Sequence, residues 1–233
     1  QMNNPLPAKQ AGRMHWVILI GAIVVVILAV LTASVIIQEE EPATAETEQA
    51  IAAEYTAALA SEHSPTVGDP NARVHIVEFL DPACETCALF YPMVKQWMSE
   101  VPGKIRLSIR HVPFHRGSDY AVRVLEASRE QGKYWETLEA LLSTQREWTQ
   151  NHTVLQDRIL PAIANVGLDM DKLADDMNRM EVLVRMERDQ EDAKTVQVRA
   201  TPGYYVNGRP LPSFGREQLA TLVREELAKA YPR

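Results

Sequence analysis

The pattern of hydrophobic positions opens on an unbroken apolar run. Residues 17–37 read VILIGAIVVVILAVLTASVII and contain no charge. A helix of this length spans about 30 Å, the thickness of a bilayer's hydrocarbon core. It predicts an N-terminal transmembrane anchor over 17–37, because the run exceeds the apolar stretch of an ordinary signal peptide. Residues 38–64 then turn polar and read as an acidic stalk. Ile51, Tyr55 and Leu59 recur there at the spacing of a short amphipathic helix. The charge of the segment favours a solvated spacer.

A turn cluster, Val67-Gly68-Asp69-Pro70-Asn71-Ala72, precedes the folded pattern. Residues 74–80 (VHIVEFL) form a β-rich run long enough for a buried strand, and Asp81-Pro82-Ala83 breaks it. Residues 84–98 place Ala88, Tyr91, Val94, Lys95 and Met98 at helical spacing, with Pro92 predicting a kink. Pro102-Gly103 ends that helix. Residues 104–112 (KIRLSIRHV) alternate, with Ile105, Leu107 and Ile109 on one face. The order so far is β-α-β.

From 118 to about 195 the pattern is helical. One helix is capped by Ser118 and ended by Gly132, and a second covers 133–148. Others lie near 154–166, 169–179 and 181–195, with Gly167 as a break. Asn207-Gly208 between Tyr204-Tyr205-Val206 and Arg209-Pro210-Leu211 signals a hairpin. Residues 216–230 close the chain as an amphipathic helix carrying Leu219, Leu222, Val223 and Leu227.

Charge sharpens this organisation. The net charge of −7 argues against a nucleic-acid partner. Residues 1–16 carry Lys9 and Arg13 and no acid, so they read as a cytoplasmic tail with the folded domain on the far side of the membrane. Residues 38–72 hold Glu39, Glu40, Glu41, Glu46, Glu48, Glu54, Glu62 and Asp69 without a Lys or Arg. The acidity therefore belongs to the stalk and its junction, and the folded domain is nearly neutral.

The two cysteines, Cys84 and Cys87, flank Glu85-Thr86 where a strand gives way to a helix. The free amides and positive dipole end of a helix start favour thiolate at Cys84. Cys87, one turn further in, is more shielded. Cys84 then attacks or is attacked to form a mixed disulfide, and Cys87 resolves it. A disulfide between them closes so short a loop that it would staple little, which favours redox use. Three alternatives stand beside this reading: a half zinc site completed by His111 or His115, an incidental structural disulfide, and a metal- or client-binding module without redox turnover. Arg106 and Arg110 share a strand face and are either solvated or paired with an acid such as Glu78. Phe90, Trp97, Tyr204 and Tyr205 divide between core and an apolar rim. His63, His75, His152 and Trp148 have no evident role.

Gly68-Asp69-Pro70-Asn71-Ala72, Val77-Glu78-Phe79 and CETC resemble the start of a DsbA-like thioredoxin-fold protein. Residues 200–208 (ATPGYYVNG) resemble that family's cis-proline strand and hairpin. The resemblance covers about 65–231. It implies an α/β thioredoxin fold with an all-helical subdomain inserted at about 117–196, behind the transmembrane helix. It also implies a thiol–disulfide oxidoreductase that needs no organic cofactor or metal. Its partners would be exported client proteins and a membrane redox-recycling protein, at the periplasmic face of a bacterial inner membrane. Oxidation, isomerisation and reduction all remain open. By this resemblance Cys84 is the nucleophile, Cys87 the resolving thiol, and Glu78 the buried carboxylate that takes the Cys87 proton. Pro202 would be cis, placing Thr201 beside the sulfurs to pair with an extended client, with Glu85 and Thr86 at the same place. Strongly oxidising members carry Pro-His between their cysteines. The Glu85 carboxylate is expected to raise the Cys84 pKa and make a weaker oxidant.

Overall fold

The computed structural model describes residues 45–60 and 62–232. The tail and transmembrane anchor expected over 1–37, and the first residues of the stalk, lie outside the described residues. No helix among the described residues is long and apolar enough to cross a membrane.

A helix, α1 (Ala45–Leu59), leads into β1 (Thr66–Gly68) and β2 (Val74–Leu80), and α2 (Glu85–Glu100) carries the chain to β3 (Ile105–His111). A long excursion follows through α3 (Ser118–Ser128), α4 (Tyr134–Ser143), α5 (Gln145–Trp148), a ribbon of β4 (Thr149–Gln150) and β5 (Thr153–Val154), α6 (Ile159–Ala162), α7 (Met170–Asp176) and α8 (Met180–Thr195). The chain returns through β6 (Gly203–Val206), β7 (Arg209–Pro210) and α9 (Arg216–Ala230). The main sheet has the order β1-β3-β2-β6-β7, with only the β2–β3 pair parallel.

Both faces of β2 are covered, which is why its sequence reads as a continuous apolar run. Val74, Ile76 and Leu80 face the larger core, with Cys87, Phe90 and Val94 of α2 and Leu219, Leu222 and Val223 of α9. Val77 and Phe79 face the smaller core, with Ala193, Val196 and Tyr205. Glu78 falls in the period of Ile76 and Leu80, so its carboxyl is turned into the larger core.

Several expectations need correction. The stalk does not remain a solvated spacer up to residue 64. Ala58 and Leu59, at the end of α1, are buried in the smaller core, while Ile51 stays exposed. The turn cluster overlaps a strand, β1, which pairs with β3 and ends at Gly68, where φ is +109°. A Cβ there would meet the Ile105 carbonyl at 2.6 Å. The insert is not all-helical: the expected 133–148 helix breaks at Thr144, and β4 and β5 pair around Asn151 and His152, both with positive φ. Asn tolerates that region, which suits a two-residue hairpin turn.

Arg110 is neither solvated nor paired with Glu78. It is fully buried, and its Nε donates to Asp189 Oδ1 at 2.6 Å. Its Nη2 donates to Asp192 and its Nη1 to the Ala58 carbonyl. Asp189 also accepts from the His111 amide at 2.7 Å and pairs with His63 at 2.8 Å. This cluster ties α8, at the end of the insert, to the end of β3 and to α1. Burial pushes the Asp189 pKa up, but the His63 hydrogen bond and the Arg110 charge outweigh it and hold the carboxyl below its usual range.

Asp189→Ala leaves the buried guanidinium with Asp192 as its one carboxylate among the described residues, and is expected to cost about 3 kcal/mol in urea unfolding. The folded-state pKa lies below the unfolded one, so the contribution is complete above the unfolded carboxylate range. It is lost as pH falls through the folded value. The difference between wild type and Asp189→Ala must therefore shrink in acid; a difference independent of pH would contradict the charge assignment.

Candidate active site

The site is built on the turn that follows β2. Asp81 is fully buried, and the sequence reading treated it only as a strand breaker. Its Oδ1 accepts from the Ala83 amide at 2.8 Å. Its Oδ2 accepts from the His115 amide at 2.8 Å, meets His115 Nδ1 at 2.7 Å and accepts from Ser118 Oγ at 3.2 Å. An acidic residue closing a strand just before a proline was the available signal, since Asx side chains commonly bond the backbone two residues on. This carboxylate fixes the turn that delivers Cys84 to the head of α2.

Cys84 is the N-cap of α2, with φ −78° and ψ 116°. It is only 5% exposed. As a thiol, Sγ donates to the Thr201 carbonyl at 3.3 Å. The anion is better served. A hydrogen bond from Cys87, the Thr201 side chain and the amides of Cys87 and Thr86 outweigh burial and lower the Cys84 pKa to about 5. Glu85 is exposed and is not what sets this value. The amide and side-chain donors around the sulfur, and not the solvent-facing Glu85 carboxylate, set the direction of the Cys84 shift.

Cys87 is fully buried, and both cysteines are free thiols. Burial pushes the Cys87 pKa up, reinforced by its hydrogen bond to Cys84 and the nearby Glu78 carboxyl. Glu78 is likewise fully buried, and neither of its oxygens makes a hydrogen bond of standard geometry. Burial raises its pKa to about 8. The neighbouring Tyr204 hydroxyl offsets part of that shift, and the Cys84 charge adds to it. One sulfur is thus held ready as an anion, the other is kept protonated, and a buried carboxyl lies near enough to the second for their charges to interact.

The Thr201–Pro202 peptide is cis. With Thr86, Arg199, Leu211 and Phe214, these two residues line a groove beside Cys84. Phe90 stacks on Tyr204 at 6.2 Å between ring centroids and on Phe214 at 4.9 Å, so Phe90 and Tyr204 back the groove from the core. Thr86, Thr201 and Pro202 therefore share one surface as expected. Glu85 does not, since it lines a separate cleft with Leu89 and Arg146.

The histidines considered as metal ligands are engaged elsewhere. His111 Nε2 meets the Tyr134 hydroxyl at 2.9 Å, and His115 is held by Asp81 and stacks on His152. Among the described residues, the group that could hold a cation is His63, Asp189 and Asp192. It contains no cysteine, and Arg110 already bonds both its carboxylates.

A family model described as Thioredoxin matches residues 60–225. A Na(+)/H(+) antiporter NhaA of Herminiimonas arsenicoxydans is 28% identical over 158 residues, covering 68% of this chain and 24% of that protein. The chain thus spans about a quarter of the length of the antiporter relatives it matches. A probable disulfide bond formation protein D of Bacillus anthracis is 24% identical, over 70% of this chain and 78% of that protein. Among solved structures, a thioredoxin-like oxidoreductase from Silicibacter pomeroyi DSS-3 has 27% identity and a TM-score of 0.65, covering 75% of this chain and 98% of that one. Matched in sequence across its folded part, the chain belongs to the thioredoxin family, with a helical excursion inserted after β3.

Proposed function

We propose that the protein exchanges disulfides with exported client proteins through Cys84 and Cys87. One observation carries this reading: amide and hydroxyl donors converge on the Cys84 sulfur while Cys87 is sealed behind it against Glu78. In the oxidised protein a client thiolate attacks Cys84 Sγ. The Cys84–Cys87 bond breaks, and Cys87 leaves with the electron pair and takes a proton from Glu78. A second client thiolate attacks the client sulfur of the mixed disulfide and expels Cys84 as thiolate. The client gains a disulfide and the Cys84–Cys87 pair is reduced by two electrons. A stable Cys84 thiolate is a good leaving group, which favours this oxidising direction. Run in reverse, Cys87 attacks the mixed disulfide after giving its proton to Glu78. The groove at Thr86, Thr201 and Pro202 receives the client as an extended segment.

The setting follows from the sequence. The apolar run at 17–37, preceded by Lys9 and Arg13, anchors the domain on the periplasmic side of a bacterial inner membrane, where a membrane redox protein reoxidises the pair.

Cys87→Ser is expected to accumulate client mixed disulfides that diagonal reducing gels resolve, and the added Cys84→Ser change removes them. Equal adduct yields with and without Cys84 would sink the assignment. Glu78→Gln should slow the attack of Cys87 on a mixed disulfide by about a hundredfold at pH 8, the low end of general acid–base contributions. In wild type that step accelerates as pH rises through the range where Glu78 ionises, which lies below the value of about 8 in the reduced protein because Cys84 carries no charge in the adduct, and in the variant this inflection disappears. Stopped-flow resolution of a preformed adduct measures both; an inflection that survives in the variant assigns the proton to another group. Deleting residues 17–37 is expected to move the protein from the carbonate-resistant membrane fraction to the soluble one. Unchanged fractionation would rule out the anchor.

A further inference from the structure

The insert reaches the catalytic turn through one side chain that the exchange mechanism does not use. Gln145, at the start of α5, is only 4% exposed. Its Nε2 donates to the Pro82 carbonyl at 2.7 Å and to the Cys84 carbonyl at 3.0 Å. The break between α4 and α5 aims it there. Thr144 Oγ1 bonds the Ala140 carbonyl and Thr149 Oγ1 bonds the Gln145 carbonyl, both at 2.7 Å. Trp148, fully buried, donates from Nε1 to the Leu141 carbonyl at 2.9 Å. Each of these bonds pins the junction from which Gln145 projects.

We propose that Gln145 is a positioning residue for the nucleophile, holding the peptide planes on either side of the 82–84 turn so that the Cys84 sulfur stays within reach of its amide donors. The Cys84 carbonyl and the following amide belong to one rigid peptide plane. Fixing the carbonyl fixes ψ of Cys84, and ψ decides where Sγ lies relative to the amides of Thr86 and Cys87. The same carbonyl accepts the first backbone bond of α2, from Ala88 at 3.2 Å, so the two donors together leave it little freedom. Gln145 touches neither client nor sulfur and acts only through the turn. The insert is thereby part of the device that sets the redox chemistry, as well as a wall beside it.

This inference rests on the reading of Cys84 as the attacking thiolate, and the test separates the two. Thiolate absorbance near 240 nm is followed against pH in the reduced wild type, in Gln145→Met, which keeps length and loses the donor, and in Gln145→Glu. Equilibrium with glutathione buffers then gives the reduction potential of each. Wild type is expected to titrate near 5, and Gln145→Met at least about one unit higher, a tenfold loss of thiolate at a fixed pH below both midpoints. Its potential should fall in step. Gln145→Glu should show a smaller rise, because a carboxyl buried against two carbonyls stays protonated and keeps one of the two donors. A wild-type Cys84 without a low midpoint would defeat the functional reading, and this inference with it. A low wild-type midpoint shared by folded Gln145→Met would overturn the inference alone. Should the variants fail to fold, the unmutated protein still decides. The side-chain amide protons of Gln145 must exchange slowly and shift as Cys84 titrates, and fast exchange without a shift would refute the proposal.

Discussion

A thiolate at the head of α2 exists only while several weak donors point at one sulfur at once. Two of them, the amides of Thr86 and Cys87, come with the helix. The Thr201 side chain comes from a segment more than a hundred residues away in the chain. The sheet brings them together. β2 and β6 are antiparallel, with Glu78 opposite Tyr204 and Phe79 opposite Gly203. The residues that follow β2 and those that precede β6 therefore emerge at the same edge. Slipping that register by one residue would turn Glu78 out of the core and carry Thr201 away from the sulfur. The strand pairing is thus as much part of the chemistry as the cysteines.

The second constraint is electrostatic. Glu78, Cys87 and Tyr204 are buried together, and each charge raises the cost of the next. The group accommodates one anion well and two poorly. When Cys84 holds that charge, Glu78 and Cys87 keep their protons. When Cys84 is tied up in a disulfide, its charge vanishes and Glu78 ionises more readily, at the stage when Cys87 must be activated. The coupling times the proton transfer without moving any backbone.

Much of this was legible in the sequence. The extents of β2, α2, β3 and α9 follow from apolar periodicity that burial then enforces, and the CETC pair after a strand locates the site. The failures share a cause. Arg110 reads as a surface cation because its partners, Asp189 and Asp192, are about eighty residues away, and nothing local announces a buried ion pair. His63 looks incidental for the same reason, being bound to Asp189. Thr144 breaks a helix that periodicity carries through, since its hydroxyl offers the backbone a local alternative. Three of the four hydrogen bonds of Asp81 are invisible until the insert folds against the turn. Local pattern shows which residues are inside, and long-range pairing decides which polar residues join them.

Those long-range bonds also explain how an excursion of some eighty residues can be joined to a thioredoxin sheet without loosening it. The insert is fastened at both ends by a buried carboxylate. At its entrance Asp81, from the end of β2, holds His115 and Ser118. At its exit Asp189, from α8, holds Arg110 and the His111 amide of β3. Between them Tyr91 of α2 donates to Glu139 of α4 at 3.1 Å, and Lys95 pairs with the same carboxylate. The last of these contacts is exposed and weak. The two buried ones are strong because removing either partner strands a polar group away from water. A subdomain held at both ends keeps a fixed attachment to the sheet. That attachment is what brings a side chain of the insert, Gln145, onto the Pro82 and Cys84 carbonyls of the catalytic turn.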